Sequence, residues 1–586
     1  MSFPLKALFL SIYLNTPPFT QHLVKAITAL LVGLLSGFTL YLANSHFLSN
    51  ILHGGLDNDH LIVADQWLLV FAGYLNFADL VFSRLPSLFP DYVLGFLALP
   101  SISDTPTYLA IYSIVQLLFI ILALAAFVKV LLRKNILYII LFVGFVLLTL
   151  SLIKGFSFAL IISSLPVNHG GNVFNVLMAS CLFFLFYLRG DSLSHSNYKL
   201  LTGCFILLLF LATLSNRFFF IQFLLPAILL LCFADKPSKT RSQGFVFILL
   251  VPLSAIIISS FALVRQCADP TPQLGSSLLL SLGGKLNMLL TCGILYVLLL
   301  PAICFVFEYV LNYRLMPRGL SLFTTSSSLI GVATYLLLAP NSQLLYIRYL
   351  LGPIFLCIAF LSVLLIRAAD NTNSYLFLSF WLVLLSLSAF SFRSGFYSNN
   401  ARHTRTSDRH AWAIKLIKKH KLDRLNGLAV SPGWESRYLT LFLQKPNSVL
   451  NVSTDGKPLL WPHARKQYLK ANSDLYTPAP SDIRDFHYFL SDPTTKGLVP
   501  PSTYGKHVTK IACLSQEYCL WRLSSSQDIM KSTFSKYFST QASDKWRCLN
   551  ESSLIHQVRK IFKQTFDFRY STPNLGRLHK LLYPDS

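Results

Sequence analysis

Apolar runs long enough to cross a lipid bilayer recur through the first two thirds of this chain, and nothing else constrains its fold as strongly. A helix needs about 20 predominantly apolar residues to span the hydrocarbon core. Hydrocarbon offers no water to the backbone, so a spanning segment must satisfy its own amides, as a helix or a closed barrel. The runs predict about eleven transmembrane helices, at roughly 23–44, 108–132, 137–160, 172–188, 199–214, 218–234, 244–264, 287–312, 320–339, 348–366 and 374–392. At 54% hydrophobic and 13% charged residues, with a mean hydropathy of +0.55, the chain carries more apolar surface than a soluble globule can bury. Residues 1–22 do not read as a cleavable signal: Asn15, Pro17 and Pro18 break the apolar part and no small-residue cleavage site follows. The first span is expected to be a retained anchor.

Basic residues orient the spans. One alternating set of loops, with the amino-terminal segment, holds Lys6, Lys25, Lys129, Arg133, Lys134, Arg189, Lys199, Lys236, Lys239, Arg241, Arg314, Arg318 and Arg367. The opposite set holds only Arg84, Arg217, Arg265, Lys285 and Arg348. The richer side is cytoplasmic by the positive-inside rule. The amino terminus is then cytoplasmic, the long loop 45–107 is external, and an odd number of spans leaves residues 393–586 outside. The formal charge of +24 follows from this bias and from the carboxy-terminal third, so it does not by itself predict a nucleic-acid partner.

The organisation that results is a polytopic membrane domain at 1–392, an external α/β domain at 393–525 and a basic, helix-prone tail at 526–586. In the second region the apolar spans stop. Short β-like runs appear at Gly427–Ser431, Ser448–Val452, Phe486–Leu490, His507–Leu514 and Tyr518–Leu523, with a helix-like stretch at Glu435–Gln444. The tail's best helix is Gln557–Phe566. A basic external surface of this kind is attracted to anionic lipid headgroups, and contact with a substrate is its other use. Seven of the ten cysteines fall in the membrane part, where they act as small apolar residues. Cys513 and Cys519 flank a hairpin turn, and in an oxidising compartment they could be bridged. No cysteine–histidine cluster suggests a metal site.

Chemistry concentrates on one face. Six of the eleven acidic residues of the first 392 lie in the first external loop: Asp57, Asp59, Asp65, Asp79, Asp91 and Asp104. The same side carries Asn168-His169-Gly170-Gly171, Ser215-Asn216-Arg217 and Tyr346-Ile347-Arg348-Tyr349. Within the loop, Leu61–Asn76 places Trp67, Phe71 and Tyr74 at helical spacing, and so predicts a helix lying in the interface plane. A carboxylate can take a proton from an attacking hydroxyl. Two arginines can clamp a phosphate through paired, charge-assisted hydrogen bonds. A lipid-linked phosphosugar calls for both groups at headgroup level. Each residue also has an ordinary use. Asp57, Asp59, Asp79 and Asp91 can cap helices, His169 can mark a tight turn, and Arg217 and Arg348 can snorkel.

At these residues the chain resembles the GT-C-type integral-membrane glycosyltransferases, and more narrowly a group of bacterial membrane proteins related to them. The pieces that carry the resemblance are Leu56–Asp65, Phe89-Pro90-Asp91, Asn168–Gly171, Ser215–Pro226 and Arg348-Tyr349, with Gly427–Leu443, including Trp434 and Arg437, in the carboxy-terminal region. The resemblance implies an enzyme that moves a sugar from a polyprenyl-phosphate donor to a glycan, lipid or protein acceptor on the external face. It implies a first-loop carboxylate as base, carried over here to Asp59 or Asp57, with Asp65 next. Asp91, His169, Arg217 and Arg348 become the substrate-binding candidates. The setting would be the cytoplasmic membrane of a bacterium, with a periplasmic carboxy-terminal domain. The paired acidic motif of some protein mannosyltransferases is absent, and Asp57-Asn58-Asp59 stands in its region; that triplet could hold a divalent cation. Two other functions remain open at this level: a transporter or flippase for lipid-linked glycan, and a noncatalytic membrane scaffold.

Overall fold

In the computed structural model, the described residues are 63, 64, 66, 67, 88–98, 105–151, 154–164, 170–189, 194–216, 218–233, 250–255, 278–310, 316, 317, 319–339, 344–370, 412, 414–421, 429–432, 449–452, 488–490, 508–513 and 519–523. The expected spans 23–44 and 374–392, and most of 244–264, lie outside them, as do the stretches 435–444 and 557–566.

The described residues between 88 and 370 are built mainly into helices. They are α1 (Val93–Ala98), α2 (Thr105–Leu132), α3 (Ile136–Ser151), α4 (Lys154–Ser164), α5 (Gly170–Arg189), α6 (His195–Ser215), α7 (Leu225–Phe233), α8 (Leu278–Thr291), α9 (Ile294–Val310), α10 (Leu320–Leu338) and α11 (Leu351–Asp370). Wide π-type turns precede α1 (Leu88–Tyr92) and α7 (Phe220–Leu224), and a 3-10 turn, Leu344–Leu350, leads into α11. Among the described residues five helical segments are long and apolar enough to cross a membrane: Ile111–Leu132, Gly170–Arg189, His195–Ser215, Leu320–Leu338 and Tyr346–Arg367. A sixth crossing results if α8 and α9 are counted together.

The bundle packs around α11. Leu351, Ile354, Phe355, Leu356, Cys357, Ile358, Phe360, Leu361 and Val363 are all buried. Helices α2, α3, α5, α9 and α10 surround them. A helix that is apolar on every side belongs in the middle. The peripheral helix α2 instead turns Ile111, Ile114, Leu118, Phe119 and Leu122 outward, a face that suits acyl chains. Hydroxyls inside helices bond to their own preceding turn: Ser180 donates to the Val176 carbonyl, Thr213 to Leu209, Thr324 to Leu320 and Ser362 to Ile358. Such back-bonding keeps a hydroxyl satisfied where water is scarce.

Three expectations are revised. The span expected at 287–312 is two helices: α8 and α9 meet at 86° across Cys292 and Gly293. Gly293 has φ of 79°, the left-handed region that stops a helix. The span expected at 137–160 is divided between α3 and α4, and the Gly155 amide donates to the Cys292 carbonyl (3.1 Å), tying the start of α4 to that bend. Lys285, counted above as a loop cation, lies inside α8 at 2% exposure and donates from Nζ to the Leu336 carbonyl (2.9 Å). A cation there faces the negative end of the α10 dipole.

The carboxy-terminal strands are β1 (Ala429–Pro432), β2 (Val449–Val452), β3 (Tyr488–Leu490), β4 (Val508–Cys513) and β5 (Cys519–Leu523); the last four lie inside runs that the sequence marks as β, and β1 runs one residue past its own. They form one mixed sheet in the order β2-β1-β3-β5-β4. Strand β1 pairs in parallel with β2 and β3, and β5 pairs antiparallel with β3 and β4. Cys513 and Cys519 face each other at the end of the β4–β5 hairpin and form a disulfide. Closing so short a loop stabilises the folded hairpin by about 2 kcal/mol on the chain-entropy account. Cys513→Ser/Cys519→Ser is therefore expected to raise proteolysis within 508–523 under oxidising conditions, and reductant should have the same effect on the wild type. Equal cleavage of wild type and variant would rule the brace out.

Candidate functional site

The site is built where the first loop docks on the bundle. Asp91 lies in the π-type turn ahead of α1 and is 2% exposed. The Tyr112 hydroxyl, on α2, donates to Asp91 Oδ1 at 2.7 Å. Behind the carboxylate stands Gly171, in the first turn of α5; a Cβ there would lie 2.7 Å from Asp91 Oδ1 and 2.8 Å from Pro90 Cδ. The Phe89–Pro90 peptide bond is cis. The Phe89 amide donates to Ser215 Oγ (2.8 Å), and the Phe89 carbonyl accepts from Asn175 Nδ2 (2.9 Å). Three helices, α2, α5 and α6, thus hold this one turn. Upstream, Gln66 is buried and accepts from the Tyr92 hydroxyl, while Trp67 donates to the Tyr92 carbonyl (3.1 Å) and packs on Phe96. The expected interfacial segment is therefore helical at 63–64 and 66–67 and rests against α1, with Val63 and Ala64 fully buried.

A second polar line starts from the same face of α5. Asn172 and Asn175 are one helical turn apart, so they share a side. Asn172 Nδ2 donates to Gln222 Oε1 (2.6 Å), and Gln222 Nε2 donates to the Tyr349 carbonyl (2.8 Å). The Gln222 carbonyl accepts from Ser327 Oγ on α10 (3.0 Å). Tyr349 stacks on Phe218 with ring centroids 5.0 Å apart. Arg348 is half-buried, with its guanidinium carbon 5.6 Å from the Tyr346 centroid and 5.4 Å from that of Tyr349. Aromatic faces hold a guanidinium in place without consuming its N–H donors.

The direction of the helices places these groups at one end. Asp91 meets α2 at Tyr112 and α5 at Gly171, near both their starts. At the far end Arg189 Nη2 donates to the Val130 carbonyl (3.1 Å), so α2 and α5 run parallel. Among the described residues, Tyr108 Oη, Gln116 Oε1, Asn172 Oδ1, Asn175 Oδ1 and Arg348 Nε lack a hydrogen-bond partner, and the first four belong to fully or almost fully buried side chains. Buried polar atoms are nearly always satisfied, so a concentration of spare hydrogen-bonding capacity marks a place fit to meet polar groups from elsewhere.

Of the seven residues singled out in the sequence, Asp91 and Arg348 are described, one on each polar line. Asp57, Asp59, Asp65, His169 and Arg217 lie outside the described residues. Their neighbours are informative: Gly170 and Gly171 follow His169 and abut Gln116 and Asp91, and Ser215 and Phe218 flank Arg217 and contact Phe89 and Tyr349. Tyr112, Asn172, Asn175 and Gln222 are not among those seven, yet they build both polar lines. Their signal was present, since an amide inside an apolar span is costly unless it has work to do. Among the described residues no group of three or more His, Cys, Asp or Glu side chains could hold a metal ion. No family model, curated protein or solved structure matches this chain.

Proposed function

We propose that this chain is a multi-pass membrane glycosyltransferase that moves a sugar from a polyprenyl-phosphate donor to an acceptor on the external face. One observation carries the reading: chain segments from four distant parts of the sequence, all assigned to the same side by their charges, converge on two linked polar lines. In this reading Asp59 or Asp57, with Asp65 nearby, removes the proton of an acceptor hydroxyl. The hydroxyl oxygen bonds to the anomeric carbon as the bond from that carbon to the phosphate oxygen breaks. Arg217 and Arg348 hold the departing polyprenyl phosphate, where fixed positive charge helps most as negative charge develops. Asp91 and His169 contribute to substrate binding, and Asp91, buried against Tyr112 and Gly171, also fixes the Leu88–Tyr92 turn. About eleven spans, a cytoplasmic amino terminus and an external α/β domain at 393–525 that presents the acceptor complete the proposal.

Binding of radiolabelled polyprenyl phosphate, free and glycosylated, to the detergent-purified chain tests it. Arg217→Ala/Arg348→Ala is expected to weaken binding on the order of a hundredfold, the equivalent of two lost charge-assisted hydrogen bonds. Unchanged affinity in a folded double variant would remove the arginines from the donor site. A second reading has one observation in its favour: the 86° break between α8 and α9 resembles the interrupted helices of transporters. Proteoliposomes separate the two. A transporter moves an intact lipid-linked glycan across the bilayer, whereas a transferase leaves free polyprenyl phosphate.

A further inference from the structure

Gln222 has three hydrogen-bonding connections to three different elements. Its Oε1 takes the Asn172 amide of α5, its Nε2 gives to the Tyr349 carbonyl in the turn before α11, and its own carbonyl takes Ser327 of α10. The side chain is 2% exposed and sits mid-way through the π-type turn Phe220–Leu224. Single wide turns in helices recur at functional sites because the extra residue re-aims its neighbours. Gly352 leaves a bare Cα directly against the Gln222 amide, so the close approach is built in from both sides. Tyr349 is gripped twice by this segment: its carbonyl by Gln222 and its ring by Phe218. Arg348 immediately precedes Tyr349, and Arg217 immediately precedes Phe218.

We infer that Gln222 is a positioning residue: it fixes the turn that carries Arg348 against Phe218, so that the Arg348 guanidinium is held to meet a phosphate. This rests on the transferase reading for the identity of the phosphate and on the hydrogen bonds alone for the coupling. A buried amide with both ends used fixes distance and direction together, which apolar packing at the same place does not do.

The test uses the full-length chain in detergent with two variants. Gln222→Met removes both side-chain bonds. Gln222→Glu keeps the shape and the acceptor for Asn172, and removes the donor to Tyr349. Amide hydrogen exchange over residues 344–352 and affinity for radiolabelled polyprenyl phosphate are measured on each. Both variants are expected to exchange faster in that turn, and to bind polyprenyl phosphate about tenfold more weakly, the loss expected of one hydrogen bond acting through Arg348. Asn172→Leu should reproduce part of the effect without touching the turn. Unchanged exchange in folded Gln222→Glu would overturn the coupling. Faster exchange with wild-type affinity would overturn the role in phosphate binding and leave Gln222 as packing. A wild type that binds no polyprenyl phosphate, while Gln222→Glu still loosens the turn, brings down the transferase reading and leaves the coupling standing.

Discussion

Gly170→Ala is expected to leave little folded protein, with a loss of about 3 kcal/mol from steric overpacking. An added methyl would coincide with two atoms already bonded to each other: the Ser163 carbonyl oxygen and the Gln116 amide nitrogen that donates to it at 2.6 Å. Neither can move aside cheaply. The carbonyl belongs to the backbone near the end of α4, and Gln116 is fully buried in α2. The substitution must therefore pry α5 away from both helices. Gly203→Ala is the matching control, because nothing lies within 4 Å of the position where its Cβ would stand. It replaces a helix-interior glycine and should hold or raise stability by up to about 1 kcal/mol. Thermal unfolding of the two variants in the same detergent gives the comparison. Equal melting temperatures would mean that α4 and α5 are not packed this closely.

The largest functional effect is expected at the first-loop carboxylates. Asp59→Asn, Asp57→Asn or the double variant should lower sugar transfer by about 10²–10⁴-fold, the usual contribution of a general base. Melting temperature should stay within a degree or two of wild type, since Asp→Asn conserves side-chain volume. The readout is label passing from a polyprenyl-phosphate sugar into the acceptor pool of membranes that contain each variant. Full transfer in both single variants and in the double variant would take the base out of this segment altogether. Asp91→Ala makes an informative contrast. It strands the Tyr112 hydroxyl and empties a site closed by Gly171, so its activity loss should come with a lower melting temperature.

Much of the architecture can be read directly from local pattern. Helices α2, α5, α6, α10 and α11 fall where apolar runs of spanning length lie, because a helix in lipid is decided by composition over a single window. The five strands fall on five short β-rich runs, β1 overrunning its own by one residue, and Cys513 and Cys519 meet because a hairpin brings its flanks together whatever surrounds it. The site was half legible. Asp91 and Arg348 stand out as charges at the edges of apolar segments, whereas Tyr112, Asn172, Asn175 and Gln222 look like isolated polar interruptions until their partners are known.

What the sequence by itself determined is the set of segments that must leave water, the end of each at which charge remains, and the strands and cysteine pair of the carboxy-terminal region. These depend on neighbours within one or two dozen residues. Only the tertiary structure decided that the run from Leu278 to Val310 bends through 86°, that Lys285 turns inward to the end of α10, and that the Asp91 turn is held by Tyr112, Asn175 and Ser215. The physical reason is the range of the interactions. Desolvation of a long apolar run is a local quantity, whereas each hydrogen bond that builds the site joins groups on different helices, and its existence depends on how those helices pack.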